Sequence, residues 1–172
     1  IQEVVQVTCL PLKLFGKDIF RFPTDKGSSV YFLGDGWLHM SIAAGFLTSG
    51  QFKNETKPYN VGVQMVHAMV TSTFYNQALK RSFGRETPNF ATKKRGAMRP
   101  FPGFKNYGEE SAKYDAMPSG HMMTVTSQFT IFHLNYPQYA PWTFTIGSIW
   151  STALMLQMVN NGVHWWSDYP LG

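Results

Sequence analysis

The distribution of charged residues constrains the fold of this chain more than any other feature of its sequence. Three long segments contain no Asp, Glu, Lys or Arg: residues 36–52, 58–79 and 116–167. A helix that crosses a bilayer needs roughly 20 residues nearly free of charge. The second segment has that length, and the third can hold two helices separated near Pro137 and Pro141. We therefore expect an all-α helical bundle with several membrane-spanning helices. Because Ser, Thr, Asn and Gln are frequent in these segments, a soluble bundle is the alternative.

Apolar periodicity and helix-breaking residues divide the chain further. They predict helices at residues 37–49, 61–80 and 121–134, and a last helix that begins near 142 and continues to 168. Residues 1–14 are too irregular to assign, and residues 15–32 form an amphipathic or looped lead-in. Residues 81–115 form a long basic loop. We expect one domain over residues 1–172, truncated at both ends.

Positive charge is concentrated between the uncharged segments. The net charge is +5, and nine of the basic residues lie between Lys80 and Lys113. Such a surface favours anionic partners, including phosphate esters and membranes. The single Cys9 excludes an internal disulfide framework.

The tetrapeptide Pro118-Ser-Gly-His121 precedes the third predicted helix. Ser119 and Gly120 allow backbone N–H groups to approach an anion closely. The N-terminus of a helix attracts phosphate because its first N–H groups are unpaired and the helix dipole is positive there. His121 adds an imidazole that titrates near neutral pH. The alternative interpretation is a serine-capped turn without chemistry.

A second histidine complements the first. His164 and Asp168 are four residues apart, so on a helix they share one face and the carboxylate reaches the ring. Such a carboxylate raises the basicity of the other ring nitrogen, which suits a nucleophilic or basic histidine. His39 and His67 lie alone in apolar segments, and we interpret both as structural. The pattern predicts no metal site and no cofactor.

Together these stretches resemble a known family. Pro118-Ser-Gly-His121 and Gly162-Val-His164-x-x-Ser-Asp168 are similar to the second and third signature motifs of the type 2 phosphatidic acid phosphatase superfamily, which also contains the vanadium-dependent haloperoxidases. The first motif of that family is a lysine, six residues and Arg-Pro. Lys80 and Pro88 have this spacing.

The chain departs from the family at both motif arginines. Thr87 precedes Pro88, and Met158 stands six residues before His164, where the third motif carries arginine. We expect another cation to contact the phosphate in their place. Arg99, beside a rigid Pro-Phe-Pro, is the first choice, and Arg85 is the second.

The resemblance implies a metal-independent acid phosphatase of the lipid phosphatase branch. It also implies a phospholipid or polyprenyl phosphate as substrate and an active site at one end of the bundle. His164 would attack phosphorus to form a phosphohistidine, Asp168 would orient it, and His121 would protonate the leaving group. The groups implied in phosphate binding are Lys80, Ser119 and Gly120, with Arg85 and Arg99 as replacements for the arginines.

Two alternatives remain at this stage. One is a vanadate-dependent haloperoxidase-like enzyme, and the other is a non-catalytic membrane protein that binds phosphate esters. The expected partners are the lipid substrate and the membrane, with no nucleic acid. We expect the bacterial inner membrane, with the site facing the periplasm.

Overall fold

The computed structural model describes residues 9–14, 17–23 and 26–172, and side chains from residue 29 onward. Two antiparallel strands, β1 (Cys9–Leu14) and β2 (Lys17–Pro23), come first. The helices that follow are α1 (Lys26–Phe32), α2 (Gly36–Lys53), α3 (Thr56–Phe83), α4 (Phe104–Glu109), α5 (Gly120–Asn135) and α6 (Ala140–Asn160). Short 3-10 helices occur at Pro88–Phe90, Ser111–Lys113, Pro137–Tyr139 and Trp166–Asp168. The expected helical bundle is confirmed, and the strand pair is an element that the sequence did not predict. The lead-in assigned to residues 15–32 falls partly outside the described residues.

Local sequence explains where the long helices begin and end. The Asp35 side chain caps α2 by accepting a hydrogen bond from the Trp37 N–H at 3.3 Å. Gly84 ends α3 in the left-handed conformation (φ 54°), which suits a residue without a Cβ. Pro141 lies in the first turn of α6, where its missing N–H has no cost.

The bundle is centred on α5, which packs against both α3 and α6, while α2 packs along α3. One apolar cluster joins α5, α6 and the C-terminal segment; its buried members are Met122, Val125, Leu154, Met158 and Tyr169. A second cluster joins α2 and α3 through Ala43, Val61 and Met65. This packing holds the start of α5 beside the C-terminal ends of α3 and α6.

Two expectations about the helices have different outcomes. The first three predicted helices are confirmed to within a few residues. The continuation of the last helix to residue 168 is wrong, because α6 ends at Asn160 and the chain turns at Gly162, which has a φ of 64°.

Among the described residues, no helix combines the length and apolar character needed to cross a membrane. The multi-pass topology stays a prediction.

Candidate active site

The predicted phosphate-binding tetrapeptide forms the N-terminus of α5. Ser119 is the N-cap and is fully buried, and its Oγ accepts a hydrogen bond from the Met122 N–H at 3.4 Å. The Ser119 N–H donates to the backbone carbonyl of Asp168 at 3.2 Å. The second motif is therefore tied directly to the third. Their contact places the positive end of α5 next to the C-terminal segment.

His164 lies in the loop that follows α6, and its side chain is only 3% exposed. Its Nδ1 is 2.6 Å from the backbone carbonyl oxygen of Ala116. Because a carbonyl oxygen can only accept, Nδ1 carries the proton and donates. In the neutral imidazole, Nε2 then holds a free lone pair. This is the tautomer that a histidine nucleophile needs.

The relation between His164 and Asp168 differs from the sequence prediction. The two residues do not share a helix face, because α6 ends before them and Asp168 lies in the 3-10 helix Trp166–Asp168. Asp168 Oδ2 is 3.6 Å from His164 Nδ1, too far for a hydrogen bond, and it accepts instead from the Trp165 N–H at 2.7 Å. The Ala116 carbonyl thus orients the ring, and the carboxylate supplies negative charge nearby.

The structure brings the two motif histidines together. The ring centroids of His121 and His164 are 6.5 Å apart, with the rings nearly perpendicular. On another side, the Tyr31 ring lies 4.4 Å from the His121 ring. Gly34 is close as well, since a Cβ there would come within 3.0 Å of His121 Cβ. Tyr31 at the end of α1 and Gly34 in the turn before α2 therefore restrict the space around the His121 ring.

A cavity of 260 Å³ opens beside His121. Lys80 and Gly120 contribute to its wall, as the sequence predicted for phosphate-binding groups, whereas Ser119, His164 and Asp168 do not line it. The remaining lining residues are Gly34, Asp35, Gly36, Ser72, Thr73, Asn76, Gln77, Met123 and Thr124. A larger groove of 530 Å³ lies between α5 and α6 and is lined mainly by Thr, Ser and Phe residues. Neither His121 nor His164 lines this groove.

Lys80 is the cation of this cavity. Its side chain is 11% exposed, and Nζ is 3.8 Å from Asp115 Oδ2. Burial lowers the pKa of the Lys80 ammonium, and the carboxylates of Asp115 and Asp168 oppose that shift. The long ion-pair distance leaves the ammonium N–H groups free to reach an anion in the cavity.

Arg85, one of the two expected arginine replacements, pairs with a protein carboxylate. Its Nη1 donates to Asp168 Oδ1 at 2.5 Å and to Ser167 Oγ at 2.7 Å. Nε and Nη2 both donate to the Arg95 carbonyl, and the guanidinium lies over the Trp165 ring. The guanidinium is therefore occupied in holding Asp168.

Arg99, the other expected replacement, points elsewhere. Its Nη2 lies 2.6 Å from Glu86 Oε1 and 3.2 Å from Thr92 Oγ1. Within the part of the chain that the structure describes, Arg99 is not one of the residues lining the cavity. Glu86 is fully buried and also accepts from two backbone N–H groups, so Arg99 helps to order the basic loop.

The environment of His121 predicts a pH effect on stability. Burial is the main cause that lowers the pKa of His121 to about 3, and repulsion from nearby cationic groups, of which Lys80 is one, adds to the shift. A histidine with a lowered folded pKa binds fewer protons than it does in the unfolded chain. Stability is therefore lost as pH falls from the unfolded pKa of about 6.5 towards the folded value.

We expect His121→Asn to remove part of this pH dependence. The wild-type free energy of unfolding should fall by up to about 1.4 kcal/mol per pH unit from this one group between pH 6 and pH 4. Chemical denaturation at several pH values measures the slope. The pKa of His39 is also lowered, mainly by burial, so the variant should keep a residual slope. His67→Asn, at an exposed position on α3, should leave the wild-type slope unchanged. Equal slopes in wild type and His121→Asn would contradict the expectation.

Comparison with known families gives one match. A family model described as the PAP2 superfamily matches residues 61–172, which extend from α3 to the end of the chain. The chain belongs to the PAP2 superfamily. No curated protein and no solved structure matches it.

Membership of the PAP2 superfamily gives the chain a phosphatase-type function in general terms. The match spans all three motif segments. At the two positions where the PAP2 motifs carry arginine, this chain has buried residues: Met158 is fully buried in the apolar cluster, and Thr87 is 5% exposed. The Thr87 N–H donates to the Ala112 carbonyl at 3.0 Å. Both positions are thus used for packing and backbone pairing.

Two groups in this PAP2 site were missed by the sequence reasoning. The carbonyl of Ala116 has no side-chain pattern that identifies it. Asn76, in contrast, lies four residues before Lys80 on the same helix, so helical spacing already placed it on the face that carries the lysine.

Proposed function

We propose that this protein hydrolyses a lipid phosphate monoester or pyrophosphate through a phosphohistidine intermediate. The observation that carries the proposal is the state of His164. Its Nδ1 donates to the Ala116 carbonyl, which leaves the Nε2 lone pair free, and its ring lies next to that of His121. A nucleophile of fixed tautomer beside an acid–base group is the arrangement that phosphoryl transfer to histidine needs.

In the first step, His164 Nε2 attacks phosphorus. An N–P bond forms while the P–O bond to the leaving group breaks, and His121 donates a proton to the departing oxygen. The attacking imidazole becomes positively charged once the N–P bond has formed, and the Asp168 carboxylate, 3.6 Å from Nδ1, stabilises that charge. Burial favours neutral His121 in the resting protein, whereas the negative charge of a bound phosphate favours its protonated, acidic form.

In the second step, water attacks phosphorus. His121, now neutral, takes the proton from the water, the N–P bond breaks, and inorganic phosphate and free His164 are restored. We propose that throughout both steps the phosphate lies at the His121 side of the cavity, next to the ring of His164, with its oxygens towards the Lys80 ammonium and the first N–H groups of α5. The Ser119 hydroxyl, which accepts from Met122, keeps its own proton for donation.

Exposed apolar side chains support a lipid substrate. Large apolar side chains on α3 and α6 lie more than half exposed; they are Val70, Phe74, Tyr75, Trp142, Phe144, Ile149 and Leu156. Apolar surface of this extent is typical of sites that contact lipid or another protein. We propose that these faces lie towards lipid, which would bring a lipid phosphate to the cavity. The bacterial inner-membrane location and the periplasmic orientation stay predictions.

A phosphate-release assay on purified protein in detergent tests the function. The panel is phosphatidate, phosphatidylglycerol phosphate, a polyprenyl pyrophosphate and lipid A, with p-nitrophenyl phosphate as a water-soluble control. We expect release from at least one lipid to exceed release from the control. No release from any phosphate ester would contradict the proposal.

The same assay tests the chemistry. Among the described residues, no group of three or more His, Cys, Asp or Glu side chains forms a metal site. We expect phosphate release to continue in EDTA, and orthovanadate to inhibit because it adopts the five-coordinate geometry of the transition state. Complete loss in EDTA that Mg²⁺ or Zn²⁺ restores would overturn the phosphohistidine route.

A further inference from the structure

Asn76 is a buried polar group that the mechanism above does not use. It lies on α3, one helical turn before Lys80, and is only 4% exposed. Its amide Nδ2 has no hydrogen-bond partner within the described part of the chain. Buried amide donors are nearly always paired, so an unpaired one needs an explanation.

The position of Asn76 explains why its amide has no partner within the protein. Its side chain lines the 260 Å³ cavity together with Lys80, Gly120 and His121. The amide lies against the start of α5, since a Cβ built on Gly120 would be 3.4 Å from Asn76 Oδ1. A neutral amide donor, an ammonium group and the first N–H groups of a helix therefore surround one space. These are the groups that bind phosphate oxygens in proteins.

We propose that Asn76 is a phosphate-binding residue, with Nδ2 donating a hydrogen bond to a non-bridging oxygen of the substrate phosphate. The inference rests on the proposed function and extends it. The two motif arginine positions hold Thr87 and Met158, and both are buried in packing. Arg85 is bound to Asp168, and Arg99 to Glu86. Asn76 thus supplies a donor that the arginines do not.

The other buried unpaired donors of the described residues lie elsewhere. Asn161 also has an unpaired Nδ2, but its Oδ1 accepts from Gln157 and its carbonyl accepts from Asn89, and it does not line the cavity. Arg81 Nε is likewise unpaired, but its guanidinium stacks on the ring of Phe104. Asn76 is distinguished by sharing its cavity with Lys80 and His121.

The test compares Asn76→Ala, Asn76→Asp and a control, Asn135→Ala. Asn135 is at the opposite end of α5 from His121, and its amide is already paired with Gln64 and the Ile131 carbonyl. Using the best substrate of the wild type, we measure kcat, KM and the inhibition constant of inorganic phosphate. Asn76→Ala should lower kcat/KM by tenfold to a hundredfold and weaken phosphate inhibition by a similar factor. Asn135→Ala should stay within twofold of wild type.

Asn76→Asp separates phosphate binding from packing. The carboxylate has nearly the shape of the amide, but it repels phosphate, so the loss should exceed that of Asn76→Ala near neutral pH. Protonation converts the carboxyl into a donor, so the ratio of variant to wild-type activity should rise as pH falls. An Asn76→Asp variant with wild-type activity, or a ratio that does not change with pH, would overturn the inference.

Calorimetric binding of inorganic phosphate keeps this inference separate from the proposed function. If the wild type cleaves no phosphate ester, the proposed hydrolysis fails, but phosphate binding still tests Asn76. Weaker binding by Asn76→Ala than by wild type would then support the assignment. Equal binding by the two proteins, or no binding by wild type, would reject it.

Discussion

Replacing His164 with alanine is expected to reduce phosphate release by at least about a thousandfold, because the group that forms the covalent intermediate is lost. Initial rates on the best lipid substrate provide the measurement. The matched control is His67→Ala, which removes an exposed histidine on α3 and should keep wild-type rates. His67→Ala should unfold close to the wild-type denaturant concentration, whereas His164→Ala removes a buried, hydrogen-bonded ring and should unfold earlier, so rates are expressed per folded protein.

A covalent intermediate gives this prediction a second readout. Substrate labelled in the phosphate should leave acid-labile, base-stable label on the wild type and on His67→Ala, but not on His164→Ala. Slower hydrolysis of the intermediate in His121→Ala should increase the labelled fraction, provided that a good leaving group allows the first step without an acid. Turnover by His164→Ala within tenfold of wild type would show that another group attacks phosphorus.

Replacing Arg85 with alanine is expected to destabilise the fold by about 3 to 5 kcal/mol, because it leaves a buried carboxylate without its partner. Asp168 is fully buried, and Arg85 Nη1 is its ion-pair partner at 2.5 Å. The same guanidinium also connects Ser167 to the Arg95 carbonyl, so its loss releases the loop that carries the third motif. Urea denaturation measures the change in free energy of unfolding.

Two further variants show whether loss of the Arg85–Asp168 ion pair causes the drop in stability. The double variant Arg85→Met with Asp168→Asn removes both charges and should recover a large part of the lost stability, since no unpaired ion remains. Lys113→Ala breaks a partly exposed pair with Glu110 at 2.7 Å and should cost less than about 1 kcal/mol. If Arg85→Ala cost no more than Lys113→Ala, the pair with Asp168 would not be a structural requirement.

The two arginines of the basic loop show why local sequence could not assign their roles. Arg85 and Arg99 have similar neighbours, each next to a turn and within a few residues of a proline. Their partners, Asp168 and Glu86, are set by how the loop folds against the ends of α3 and α6. The loop is ordered by backbone pairs such as Glu86 N–H to the Ala97 carbonyl, which have no side-chain pattern.

The sequence by itself determined α2, α3 and α5, the start of α6 and the order of the motif segments. The reasons are local: Ser119 caps α5, Gly84 ends α3, and uncharged apolar runs have to be buried or covered. The spacing of Lys80, His121 and His164 in the motifs also identified the family before any geometry was known.

Only the tertiary structure decided how the site is assembled. The His164 tautomer depends on the Ala116 carbonyl, which lies 48 residues earlier in the chain. The Asp168 carboxylate is held by Arg85, and the Asn76 amide is left unpaired beside Gly120. Capping and periodicity act over one or two helical turns, and they therefore specify helices from sequence. Contacts between distant segments depend on how whole helices pack, so the direction of each functional atom appears only when the bundle is complete.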